Sequence, residues 1–228
     1  MNPHLLSELI PKNPVNELAY AALLLTNVIA SLGLTRVFYR YLAKRGVKRN
    51  VAVYYNRKII HMLAGGVTAI LTPYIFTSPT IPFAFALILA ATLYLNHRRK
   101  QLLDWFQTSE NIYEVNFCLA WGMSLLVVWL ATSNPFYAVV PGLFISFGDA
   151  VTGIIRNALY GVRTKSWVGN IGMLAVTTLI GYIYMGFQGI VIGILASIAE
   201  HFEFPPYIDD NLLIAGVATL FILFFTLL

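Results

Sequence analysis

Residues 112–132 read IYEVNFCLAWGMSLLVVWLAT, and after a Ser133-Asn134-Pro135 interruption residues 136–158 read FYAVVPGLFISFGDAVTGIIRNA. Each run meets the roughly 17–25 predominantly apolar residues that a helix needs to cross the hydrocarbon core of a bilayer. Working outward, comparable runs occupy 18–35, 60–77, 80–96, 171–186, 188–203 and 211–228. The 80–96 run is short enough to be re-entrant or to cross a thinned bilayer, so the expected count is about eight transmembrane helices, within seven to nine. Composition agrees. Of the 228 residues 58% are hydrophobic and 11% charged, against about 45–50% and about 25% in soluble domains. The expected fold class is all-α and polytopic, a single transmembrane domain over 1–228, because no loop is long enough to fold separately.

Charge sets the expected orientation. The sequence carries 15 Lys and Arg against 10 Asp and Glu, and the basic residues sit in alternate loops. One cluster runs from Arg36 to Lys58, a second is Arg98-Arg99-Lys100, and a third holds Arg156, Arg163 and Lys165. The intervening loops near Ser78, Ser133 and Met185 have no Lys or Arg. The positive-inside rule then places all three clusters in the cytoplasm and both termini outside. No basic stretch precedes the first apolar run, so a cleaved signal peptide is not expected. The single Cys118 excludes an intrachain disulfide and reads as a packing residue. Residues 36–58, where basic residues alternate with Phe38, Tyr39, Tyr41, Tyr54 and Tyr55, read as an interfacial loop on an anionic leaflet. Binding of an anionic substrate is the alternative there, and nucleic acid is not an expected partner.

Ionisable residues within apolar spans are functional-site candidates by default, because lipid solvates them poorly. Asp149 follows Gly148 in the middle of a span, and helical spacing puts Gly153 and Arg156 on its face. Either Asp149 and Arg156 form an internal ion pair, or the glycines leave room for a ligand or a hard cation such as Mg²⁺. The following segment, Gly161-Val162-Arg163-Thr164-Lys165-Ser166-Trp167-Val168-Gly169-Asn170, joins cations, hydroxyls and glycines just before a helix. That chemistry suits phosphate, with Asn170 as a plausible N-cap and the backbone near Gly169 facing the anion. It is not a Walker A loop, and an ordinary positive-inside loop is its plain alternative.

Further along stand Glu200, His201 and Glu203, then Asp209-Asp210-Asn211 at the start of the last helix. Acidic residues contribute little to topology, so they are explained by helix capping or by a magnesium site. Arg57-Lys58-Ile59-Ile60-His61 opens the second span, where His61 is either an interfacial residue or part of a site. No zinc-ligand spacing and no nucleophile elbow are present.

In order and spacing, Arg57-Lys58-Ile59-Ile60-His61, Gly148-Asp149, Lys165 to Asn170, Glu200 and Asp209-Asp210-Asn211 resemble the dolichol kinase and phytol kinase family over residues 57–211. The resemblance implies a membrane enzyme that phosphorylates an isoprenoid alcohol of dolichol, polyprenol or geranylgeraniol type with CTP and Mg²⁺. It implies that Asp149, Asp209, Asp210 and Asn211 hold the metal, and that Gly148, Gly153, Arg156, Arg163, Lys165, Ser166, Gly169 and Asn170 bind the nucleotide. Asp149, Lys165 and Glu200 would act in catalysis, with Asp149 or Glu200 as general base, and Arg57, Lys58 and His61 would meet the substrate. Tyr160-Gly161 falls one residue out of register with the family's G-x-x-[FY]-G element, and Arg156 replaces a glycine of it. The related phosphatidate cytidylyltransferases share the Gly-Asp and Lys regions, but their P-G-H-G-G and D-R-x-D signature is absent. A CDP-lipid synthase and a non-enzymatic lipid carrier or channel are the competing functions.

Overall fold

The computed structural model describes residues 7–162, 164–204 and 208–227. Among these there is no strand, only an isolated backbone bridge between Phe204 and Ile208. Seven helices are long and apolar enough to cross a membrane, so the chain is an all-α multi-pass membrane protein. They are α1 (Pro14–Lys44), α2 (Arg49–Ile75), α3 (Thr80–Arg98), α4 (Tyr113–Thr132), α5 (Pro135–Tyr160), the stretch Trp167–Glu200, and the last, Asp210–Leu227. The re-entrant alternative for 80–96 does not apply, since α3 is a helix of 19 residues.

Trp167–Glu200 is not one rod. Its 34 residues would extend about 51 Å at 1.5 Å per residue, yet Lys165 Nζ donates to the Glu200 carbonyl at 2.8 Å. The chain reverses at Gly186, whose φ of 63° and ψ of −140° belong to a region that only glycine enters without strain. The two arms, α6 (167–185) and α7 (187–200), lie antiparallel. Gly181 and Gly189 approach so closely that a Cβ on either would strike the other's carbonyl, the small-residue contact that lets membrane helices pack backbone to backbone. Thr177 Oγ1 donates to Gly193 O at 2.9 Å and Ser197 Oγ to Asn170 O at 3.0 Å along the same seam. With Asp210–Leu227 as α8, eight helices run through the bundle among the described residues. The expected spans 171–186 and 188–203 are thus two antiparallel helices, α6 beginning four residues earlier, nearer the site, and α7 ending three residues earlier, at Glu200.

The interfacial loop expected over 36–58 is corrected. α1 continues through Arg36 and Arg40 to Lys44, the chain turns over 45–48 with Gly46 at φ 75°, and α2 begins at Arg49. Ala52, Val53, Asn56, Arg57 and Lys58 are buried, so the second half of the segment enters the bundle. Its polar side chains are tolerated there because each meets a partner. Asn56 Nδ2, for example, donates to Trp105 O at 2.9 Å.

α5 is the central helix, the most deeply buried of the spans, whereas α1 and α3 lie at the edge of the bundle with most of their surface exposed. Asn134 caps it, accepting from Phe136 N, and Gly161 ends it in the left-handed conformation. Phe144 and Ile145 are fully enclosed and pack in one core with Leu125, Met173, Ile192 and Ile214. Both α2 and α5 contain a π-helical turn, His61–Gly66 and Phe144–Gly148, the local widening often found at functional sites. The two turns face each other: a Cβ at Gly65 would meet Phe117 and Ser146, and one at Gly66 would meet the Phe147 ring.

Candidate active site

The two π-turns present their neighbouring side chains to one another. Asp149 follows the π-turn of α5, His61 begins that of α2, and Lys58 lies one helical turn before it. Lys58 Nζ donates to Asp149 Oδ2 at 2.5 Å, and His61 Nδ1 stands 3.7 Å from the same oxygen. All three are buried. A buried ammonium and carboxylate persist only when paired, because each alone would carry a desolvation penalty of several kcal/mol. The pair spans 91 residues of sequence. The His61 ring stacks on Phe117, with centroids 3.9 Å apart, and neither of its nitrogens has a hydrogen-bond partner among the described residues.

A second group adjoins the first. Arg156 grips Glu200 with both terminal nitrogens, at 2.7 and 2.9 Å, and also donates to Asn170 Oδ1 and Ser166 O. This fork geometry is the strong form of an ion pair. Lys165 Nζ reaches Glu200 Oε1 at 3.3 Å and Asp210 Oδ2 at 3.0 Å, with Glu203 at 3.9 Å. The Phe204–Ile208 bridge closes the chain between Glu203 and Asp209. Carboxylate oxygens of Asp149, Glu200 and Asp210 lie within 4.8 Å of one another. Three acids from α5, α7 and α8 therefore meet three cations, Lys58, Arg156 and Lys165, at one end of the bundle.

The sequence-predicted residues fall into distinct positions here. Asp149, Lys165, Glu200 and Asp210 converge as expected, but with different partners: Asp149 pairs with Lys58, and Arg156 with Glu200, so the Asp149–Arg156 pair is corrected. The side chains of i and i+7 share a helix face yet diverge because the hairpin inserts Glu200 and α2 inserts Lys58. The room attributed to Gly148 and Gly153 is filled by protein. A Cβ at Gly153 would strike the Lys58 stem, and one at Gly148 would meet Thr177 and Met173. Gly169 likewise admits Arg156. Ser166, not Asn170, is the N-cap of α6, accepting from Val168 N at 3.4 Å; Asn170 lies inside the first turns, bound to Glu200 and Ser197 O.

Asp209 turns away from the acid group to cap α8, accepting from Leu212 N at 3.1 Å and from Asn211 Nδ2 at 3.2 Å. Burial and the adjacent Asp210 carboxylate push its carboxyl up to about 6. Asn211 is buried beside it with Oδ1 unpartnered among the described residues. Arg57 points away from Asp149, donating to Phe106 O and lying over the Tyr113 ring. Arg163 lies outside the described residues.

Sequence reasoning missed two spaces and one cluster. A cavity of ≈ 220 Å³, lined almost wholly by apolar side chains of α1 to α4, reaches His61 at one end. A polar pocket of ≈ 310 Å³ lies beside Asp209, lined by Asn111, Asn116 and Glu203 among others. Near the cavity's end, His97 Nε2 and Gln107 Nε2 meet Glu114 Oε1 at 2.6 and 2.7 Å. The only signal for these in the sequence was the presence of Asn and Glu near the start of α4. No family model, curated protein or solved structure matches the chain.

Proposed function

We propose that this protein is a lipid kinase that transfers the γ-phosphoryl group of CTP to the hydroxyl of a membrane isoprenoid alcohol, with its site at the cytoplasmic face. The observation that carries the reading is the meeting of three carboxylates and three cations from four helices and the segment that leads into α6, immediately beside an apolar cavity. Phosphoryl transfer asks for positioning and charge neutralisation more than for covalent chemistry, and this arrangement offers both.

The donor set fits Mg²⁺. Carboxylates of Glu200 and Asp210 and the unpartnered Asn211 Oδ1 are hard oxygen donors, and Mg²⁺ commonly takes one or two carboxylates together with substrate phosphates. When bound, the ion would neutralise charge on the β- and γ-phosphates. Lys165, 22% exposed at the rim, turns from Asp210 to a phosphate oxygen as nucleotide enters, and Lys58 does the same from Asp149. Arg156 keeps Glu200 in place and acts as a positioning residue. Asp149 is the acid that also faces His61, and so it takes the hydroxyl proton. The pocket beside Asp209 presents amides and carboxylates suited to the exocyclic amine of cytosine and repels phosphate, so the nucleoside lies there.

The test is transfer of label from CTP radiolabelled at the γ-phosphate to isoprenoid alcohols by purified protein, with and without Mg²⁺ and beside γ-labelled ATP. Labelled lipid that requires Mg²⁺ is the expected outcome. No transfer from γ-labelled nucleotide, together with transfer from α-labelled CTP to a lipid phosphate, would make it a CDP-lipid synthase instead.

A further inference from the structure

Between α1 and α4 the helices leave a partly open apolar cleft of ≈ 220 Å³ among Leu24, Val28, Phe85, Leu89, Phe117 and Trp121. Its lining forgoes dispersion contacts that an apolar occupant would restore. It is elongated along the bundle. On α3 its lining runs from Asn96 to Pro82 and on α1 from Leu32 to Ala21, 14 and 11 residue steps, or about 21 and 17 Å.

The two ends differ chemically. The end away from the basic residues is lined by Ala21, Phe76 and Pro82, all apolar. The other end carries Arg57, His61 and Glu114, each less than a tenth exposed. Both His61 nitrogens and Glu114 Oε2 lack hydrogen-bond partners among the described residues, and buried polar groups left so are costly unless a ligand meets them. His61 is also the side chain that touches Asp149.

We propose that this cavity holds the hydrocarbon tail of the acceptor alcohol, hydroxyl at His61, and measures its length. This rests on the kinase reading above for the word acceptor, but not for the binding itself. An extended chain advances roughly 1.2 Å per bond, one third of the 3.3–3.6 Å of an extended residue. The cavity therefore takes roughly 14–17 chain carbons, three to four isoprene units, and a longer tail must leave the cavity for lipid.

The test uses isoprenoid alcohols of two, four and ten units, each carrying a diazirine at the tail end, photolysed on the purified full chain without nucleotide. The cavity as a ruler predicts that the four-unit probe labels the far end, near Ala21 and Pro82. The two-unit probe labels nearer Val28 and Leu89, and the ten-unit probe marks lipid-facing positions. Val28→Phe narrows the middle and should lower four-unit labelling of the far end near Ala21 and Pro82 about tenfold, the effect of denying an apolar site to roughly two methylenes. Leu89→Phe from the opposite wall should do the same, so that a folding defect in one variant does not decide the matter; melting temperature reports that defect. Label confined to lipid-facing residues such as Leu23 and Ile29, or a labelled site that does not move with probe length, overturns the proposal. Length-ordered labelling in the cavity without phosphoryl transfer from any nucleotide upholds the tail site and overturns the kinase reading.

Discussion

A lysine and an aspartate buried 2.5 Å apart have a consequence that neither has alone. Replacing Asp149 by Asn leaves the Lys58 ammonium enclosed without a counter-charge, which costs about 3–5 kcal/mol in buried pairs. The variant should therefore lose both phosphoryl transfer and thermal stability in detergent. Lys58→Met should destabilise comparably. The double variant Lys58→Met with Asp149→Leu should recover most of the stability while remaining inactive, giving a coupling energy well above that of distant sites. Additive losses in melting experiments would mean that the two charges are solvated independently. Asp209 and Asp210 make a second contrast between neighbours. Asp209 caps α8 and lines the pocket assigned to the nucleoside, so Asp209→Ser keeps a cap and should keep kcat while raising the KM for CTP, whereas Asp209→Ala also loses about 1 kcal/mol of stability. Asp210→Asn should lower Mg²⁺-dependent transfer about a hundredfold or more, as changes around metal ligands do. Equal activity losses at both positions would put Asp209 back among the ligands.

At the scale of elements, the hairpin of α6 and α7 is what makes the site. Its two ends bring Lys165 and Asn170 back onto Glu200, so any change that prevents the reversal disperses the cluster. Gly186→Ala forces a side chain into a conformation that costs on the order of 1–3 kcal/mol, and Gly189→Val drives a branched side chain into the Gly181 carbonyl. Both should lower the melting temperature, Gly189→Val further, and transfer should fall with it; full activity in Gly189→Val would show that the arms can separate without opening the site. The hairpin also marks the boundary of what the sequence discloses. A break near Met185 was legible, because apolar runs of membrane length must turn. So were Asp149, Lys165, Glu200 and Asp210, because charge in an apolar run stands out against lipid. Their pairing was not legible, since Lys58–Asp149 and Arg156–Glu200 join residues 91 and 44 apart and no local spacing encodes that. The glycines misled for a related reason. A missing side chain signals close approach, and in Gly153 and Gly169 what approaches is Lys58 and Arg156 rather than a ligand.

For the whole molecule, burial sharpens the orientation argument. Positive-inside counting treats every Lys and Arg alike, but Arg57, Lys58 and Arg156 are buried and engaged, and their charge is neutralised or hydrogen-bonded within the bundle. Removing them leaves Arg36, Arg40, Lys44, Arg45, Lys48, Arg49, Arg98, Arg99 and Lys100, exposed on the same end of the bundle as Lys165 and Asp210. The far end holds Lys12 beside Glu8 and Glu17, and both of these acids are hydrogen-bonded, to Trp129 and to Thr77. The asymmetry therefore survives, and it resides in exposed surface charges that a translocation apparatus and an anionic leaflet would meet. The expected outcome is that the end bearing the site faces the cytoplasm, where nucleoside triphosphates are. In a Cys118→Ser background, single cysteines placed by Gln101→Cys at the basic end and Lys12→Cys at the far end can be probed in intact cells with a membrane-impermeant maleimide. Lys12→Cys should react at once and Gln101→Cys only after permeabilisation. The reverse pattern would put the acid cluster on the side without nucleotide, and phosphoryl transfer from a soluble triphosphate would then lose its donor. Reaction of both before permeabilisation would contradict a chain that crosses the bilayer an odd number of times between residues 12 and 101, as α1, α2 and α3 require.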